Sequence, residues 1–172
     1  NVYIAKFVSN SGVDRIFIDL ETLGKKERQG HLDTWISRHS IQDISKIRQA
    51  LPNQHILTRI NPINENSEEE IDEAIDRGTS SIMLPMFRSF EEIAKFYDLV
   101  SRRTQVIPLF ETENSILELK KIISKLPVSD LHIGLNDLYL DMNMSFMFEP
   151  LCAGILEDVC KLLRERDIDF GI

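Results

Sequence analysis

"VIPLFETENS" runs from Val106 to Ser115. Its first five residues form a short apolar run, and a carboxylate, Glu111, stands where that run ends. Runs of this kind bounded by polar residues read as buried strands. The arrangement recurs on both sides. "SIMLPM" (81–86) precedes it, and "LHIGLND" (131–137) follows and delivers Asp137. The three runs start 25 residues apart, at 81, 106 and 131.

Further out lie "RIFIDLE" (15–21), "HILTRIN" (55–61) and a final "FGI" (170–172). Amphipathic helical patterns fill the intervals. "SIQDISKIRQALP" opens at Ser40, lines up Ile41, Ile44, Ile47 and Leu51, and stops before Pro52. "SEEEIDEAIDRG" pairs Ser67 with Glu70 as a capping box, and "SFEEIAKFYDLV" repeats the box with Ser89 and Glu92. "SILELKKIISKLP" covers Ser115 to Pro127, and "EPLCAGILEDVCKLLRERD" reads as one last helix. The opening "NVYIAKFVSNSG" reads as a helix closed by Gly12, with a strand over Val2–Val8 as the alternative.

Strand, helix, strand at this spacing means βαβ units and a parallel sheet. The strands are continuous apolar runs, as expected when both faces are covered. No Gly-x-Gly-x-x-Gly fingerprint or P-loop is present, which disfavours a nucleotide-binding sheet. The expected fold is therefore a (β/α)8 TIM barrel forming one domain over residues 1–172. Such barrels typically need about 250 residues. The chain shows six strands, so the expectation is a barrel incomplete at both ends, with its first strand and last elements missing. A six-stranded open α/β sheet is the structural alternative.

Composition sets outer limits. The chain has 172 residues, 42% hydrophobic and 28% charged, with a net charge of −8. No basic stripe offsets that charge, so neither nucleic acid nor an anionic membrane is an expected partner. No apolar run reaches the ~20 residues of a membrane span. Cys152 and Cys160, if on one helix, stand roughly 12 Å apart along its axis, too far for a disulfide. Reduced thiols point to a cytoplasmic home.

In parallel α/β folds the chemistry sits at the carboxyl ends of the strands. Those ends carry Asp19 and Glu21, then Arg59 and Asn61, Pro85 and Met86, Glu111, and Asp137. Glu111 and Asp137 offer hard oxygen ligands on adjacent strands and suit Mg²⁺ or Mn²⁺, which take few protein carboxylates and leave positions open. The competing reading is that each caps a helix or turn. Arg59 suits a substrate carboxylate or a developing enolate oxygen, against a plain surface ion pair. It is expected on the same rim as the two acids. Lys25, Glu27, Arg28 and Gln29 in "GKKERQG" read by default as a solvated loop. His132 reads as structural, and His31 and His55 give no signal.

"IFIDLE", "LTRINP", "IMLPM", "VIPLFET" and "HIGLNDL", in this order and spacing, resemble the HpcH/HpaI aldolase and citrate lyase beta-chain family. The resemblance covers residues 13–140, and "DIDFGI" looks like that family's penultimate strand. It implies a (β/α)8 barrel related to other phosphoenolpyruvate- and pyruvate-binding barrels. It makes Glu111 and Asp137 the metal ligands, with Arg59 contacting the keto acid. Asp19 and Glu21 would approach the site on the first loop. It also implies a homo-oligomer, a trimer or hexamer.

One position departs from the pattern. Pyruvate aldolases of the family carry a histidine directly after the acidic pair, where this chain has Thr22. The resemblance therefore leans toward the citrate-lyase-like branch and leaves the general base open. His39 in "TWISRHS" is a candidate imidazole, against a residue that merely precedes the Ser40 cap.

The functional expectation is a Mg²⁺-dependent carbon–carbon lyase or aldolase. It would act on a small-molecule keto acid of pyruvate or oxaloacetate type, or on a citrate-lyase-like acyl substrate, through a metal-stabilised enolate. Another phosphoenolpyruvate- or pyruvate-type enzyme, or a non-catalytic barrel serving as scaffold or binding subunit, are the alternatives.

Overall fold

The computed structural model describes residues 1–25, 28 and 37–172. They form two compact units, Asn1–Met83 with Leu99–Gln105, and Leu84–Asp98 with Val106–Ile172.

The first unit contains α1 (Val2–Asn10), β1 (Arg15–Asp19), α2 (Gln42–Ala50), β2 (His55–Arg59), α3 (Ser67–Asp76) and β3 (Ser81–Leu84, whose last residue belongs to the second unit). β1 pairs parallel with β2 from Arg15↔His55 to Asp19↔Arg59, and β2 pairs parallel with β3 from Leu57↔Ser81 to Arg59↔Met83. Ile56, Ile71, Ala74 and Ile82 are fully buried, with Ile44 and Ile47 of α2. Here the 3.6-residue period of the helices meets the buried interiors of β2 and β3, whereas Phe17 of β1 stays exposed.

The second unit contains α4 (Phe90–Val100), β4 (Gln105–Phe110), α5 (Glu113–Lys125), β5 (Asp130–Ile133), α6 (Leu135–Asp141), α7 (Glu149–Cys152), α8 (Ile155–Glu165) and β6 (Asp169–Gly171). α4 and β4 each have residues in the first unit. β5 lies between β4 and β6, parallel to both, with Leu109↔His132 and Leu131↔Phe170 in register. Phe87 and Phe110 meet edge to face at 5.0 Å in a core shared with Ile93, Phe96, Leu119 and Ile133. The pairings β1–β2, β2–β3, β4–β5 and β5–β6 are all parallel, and strands alternate with helices along most of the chain. This is an α/β fold of incomplete (β/α)8-barrel type.

Several local expectations shift. The run 131–137 is not one strand: β5 ends at Ile133, and a short helix begins at Leu135. The last helix is two, because Gly154 stands between α7 and α8 at φ 73°. That left-handed conformation costs glycine little and breaks the helix. Cys152 and Cys160 thus lie on different helices, and both are free thiols. Ser67 and Glu70 form no capping box. α3 starts at Ser67 itself, and Glu70 reaches back to Asn61 and Asn64. Ser40 does not cap α2 with its hydroxyl; the Asp43 carboxylate accepts from the Ser40 N–H instead. This bond, helped by Lys46 and working against the upward effect of partial burial, pulls the Asp43 pKa down to about 2. Among the described residues no helix is long and apolar enough to cross a membrane.

Candidate functional site

In the first unit the parallel register sets Asp19, the last residue of β1, level with Arg59, the last residue of β2. Neighbours in register project to the same face, so the acid and the guanidinium meet. Arg59 Nε donates to Asp19 Oδ1 and Arg59 Nη2 to Asp19 Oδ2, each at 2.9 Å. Lys25 Nζ adds a 2.6 Å bond to Asp19 Oδ2. Burial raises the Asp19 pKa, but the hydrogen bonds and charges of Arg59 and Lys25 outweigh it and hold the carboxyl below its ordinary value.

Glu21, 2% exposed, joins the same cluster. Arg28 Nη2 donates to its Oε1. Its Oε2 is buried with no hydrogen bond among the described residues, 3.4 Å from Arg59 Nη2 and 3.6 Å from Lys25 Nζ. Two acids and three cations thus interlock at the ends of β1 and β2. The solvated-loop reading fails for Lys25, which is 3% exposed. Glu27, Gln29 and His31 lie outside the described residues.

The loop that carries Glu21 is pinned by a residue that sequence reading noted only as a strand end. Asn61 Oδ1 accepts from Thr22 N at 2.8 Å, from Leu23 N at 3.0 Å and from Thr22 Oγ1 at 3.3 Å. Asn61 Nδ2 in turn donates to both oxygens of Glu70. Thr22, the residue in place of the family's histidine, is therefore tied to Asn61. His39 Nδ1 accepts the Asp19 backbone N–H at 3.1 Å. In a neutral imidazole this bond puts the ring hydrogen on Nε2 and commits the basic nitrogen to the backbone.

In the second unit Glu111 directly follows β4 and is 2% exposed. It does not cap the next helix. Thr112 caps α5, exchanging bonds with Ser115 in a capping box. Glu111 Oε1 instead accepts from the Met86 N–H at 3.0 Å, and Met86 sits after β3 with φ 56°. Asp137 does not sit at a strand end. It lies in the first turn of α6, three residues past the N-cap Gly134, and is 5% exposed. Gly134 touches Glu111, since a Cβ added there would stand 2.7 Å from Glu111 Oε2. Asp141 at the end of α6 accepts through Oδ2 from the N–H of Glu113, the first residue of α5, at 2.8 Å and from Arg88.

One family profile, described as HpcH/HpaI aldolase/citrate lyase, matches residues 1–147 of the chain. The chain belongs to this family of lyases and aldolases.

Solved structures share the fold. An HpcH/HpaI aldolase from Desulfitobacterium hafniense DCB-2 aligns with a TM-score of 0.75 and 15% identity, over 99% of this chain and 72% of its own. An HpcH/HpaI aldolase/citrate lyase family protein from Burkholderia cenocepacia J2315 gives 0.77 and 14%, over 100% and 75%. Macrophomate synthase gives 0.73 and 12%, over 99% and 67%. A search of curated protein sequences gives no match.

The donor chemistry at Glu111 and Asp137 fits Mg²⁺ or Mn²⁺. Both side chains are buried carboxylates, and Glu111 is held by a backbone amide and seated against a glycine. Two hard oxygen donors are within the number of protein carboxylates such cations usually take. Among the described residues there is no group of three or more His, Cys, Asp or Glu that could hold a metal ion.

Proposed function

We propose that the protein is a divalent-metal-dependent carbon–carbon lyase or aldolase for a 2-keto acid of pyruvate or oxaloacetate type, or for a citrate-lyase-like acyl substrate. The observation that carries this reading is Glu111. It is a buried acid whose obvious structural task, capping α5, is performed by Thr112.

Glu111 and Asp137 would hold Mg²⁺ or Mn²⁺. The bound cation would supply a Lewis acid for the carboxylate and keto oxygens of the substrate. By the family resemblance Arg59, its guanidinium fixed through the fork on Asp19, would offer positive charge to a substrate carboxylate or a developing enolate oxygen. Lys25 and Arg28 anchor the Asp19 and Glu21 carboxylates through ion pairs. Thr22 cannot act as the imidazole of the pyruvate aldolases. A homo-oligomeric, cytoplasmic enzyme is part of the same proposal.

The test is cleavage of oxaloacetate and of a 4-hydroxy-2-keto acid by the purified protein, with Mn²⁺ and after chelation. The expected result is Mn²⁺-dependent turnover that Glu111→Gln and Asp137→Asn each abolish. Metal bound with no turnover on either substrate would favour a non-catalytic barrel. Turnover that survives both substitutions would end the metal assignment.

A further inference from the structure

We infer that Gly134 is a positioning residue for Glu111, and that with the Met86 amide it forms a clamp setting this carboxylate for a divalent cation. The inference rests on reading Glu111 as a metal ligand.

The two halves of the clamp act on different oxygens. Met86 N–H holds Oε1 at 3.0 Å. Met86 reaches that position with φ 56°, a conformation non-glycine residues seldom adopt and keep only where the surroundings enforce it. Gly134 makes room for Oε2. A Cβ at residue 134 would lie 2.7 Å from Glu111 Oε2, 2.9 Å from Glu111 Cβ and 3.3 Å from Leu109 Cδ1.

The backbone of Gly134 does not itself need a glycine. Its φ of −89° and ψ of 93° are open to any residue. Space is therefore the reason for glycine here. Nor can residue 134 retreat cheaply, because its N–H donates to Phe110 O at 3.0 Å and extends the β4–β5 ladder by one bond. The same residue is the N-cap of α6, whose first turn carries Asp137. One glycine thus fixes how closely β4 delivers Glu111 to the start of the helix bearing the second acid.

The test uses ¹⁵N-labelled protein and Mn²⁺ titration by calorimetry, with Gly134→Ala, Glu111→Ala and the double variant. In Gly134→Ala the Met86 amide resonance should move toward its position in Glu111→Ala, with no metal present. Mn²⁺ affinity should fall about 10- to 100-fold, the usual loss when a group that orients a ligand is removed. A Met86 resonance left at its wild-type position would overturn the inference, as would wild-type Mn²⁺ affinity in Gly134→Ala. If Gly134→Ala melts too low for spectra, melting temperatures decide. The clamp predicts that Gly134→Ala costs less stability in the Glu111→Ala background than in the wild type. Equal costs would overturn it. If the wild type binds no Mn²⁺ while the Met86 resonance still responds to Gly134→Ala, the clamp stands and the metal reading falls.

Discussion

Arg59 lays the Nε and Nη2 edge of its guanidinium across both oxygens of Asp19, each bond 2.9 Å long. Its face also lies 5.6 Å from the centre of the Phe17 ring. A planar fork satisfies both oxygens at once, which an ammonium cannot do.

Arg59→Lys should therefore lose most turnover while Mn²⁺ affinity changes little. Arg59→Ala should also destabilise the fold by about 1–3 kcal/mol, the scale of losing charge-assisted hydrogen bonds while Lys25 still pairs with Asp19. Steady-state kinetics, calorimetry and chemical denaturation check these outcomes. Near-normal turnover in the lysine variant would make Arg59 a purely structural residue.

The depressed pKa of Asp19 fixes a direction in pH. Its ordinary value is 3.8, and the folded state lowers it. The unfolded chain thus takes up a proton first as pH falls. The stability from this group is complete above the ordinary value and is lost as pH drops through the lowered one. Denaturant midpoints measured from pH 5 to pH 2 should fall less steeply for Asp19→Asn than for the wild type. Parallel curves would exclude this contribution.

Asn61 works with opposite polarity on its two sides, accepting from Thr22 and Leu23 and donating to Glu70. Asn61→Asp keeps the acceptor but turns the donor into a second carboxylate facing Glu70. The expected loss is about 1–3 kcal/mol, the scale of leaving a buried polar group unsatisfied. Asn61→Asp/Glu70→Gln should recover part of it. Thermal melts of the two variants suffice, and no recovery would mean that Glu70 is not the partner that matters.

The Tyr97 hydroxyl is buried and makes no hydrogen bond among the described residues, and its burial pushes the phenol pKa up. Tyr97→Phe removes that unsatisfied group and keeps the ring. Stability should stay level or rise by up to about 1 kcal/mol. A clear loss in the denaturation midpoint would show that the hydroxyl has a partner in solution.

Much of the architecture is written in local order. Apolar runs of strand length, helical periods between them and the 25-residue spacing of Ser81, Val106 and Leu131 suffice for an α/β fold with parallel strands. The strand-end motifs suffice for the family. Local pattern was less reliable where a side chain had two partners to choose from. Glu70 fits a capping box by spacing, but it bonds Asn61 because the end of β2 lies within reach. Lys25 resembles its charged neighbours in sequence, but Asp19 and Glu21 draw it into the interior. The short helix carrying Asp137 was hidden by the apolar residues around it, which serve a strand or a helix equally well.

The sequence by itself determined which residues could do chemistry, because carboxylates and a guanidinium at the ends of apolar strands are a matter of composition and order. Only the tertiary structure decided which of them meet. Asp19 reaches Arg59 because the β1–β2 register sets them side by side across 40 residues of chain. Glu111 reaches the Met86 amide because β4 ends beside a residue held in the left-handed region, and Gly134 leaves the space for it. Register and close backbone approach arise between strands, and no single stretch of sequence holds the information for either.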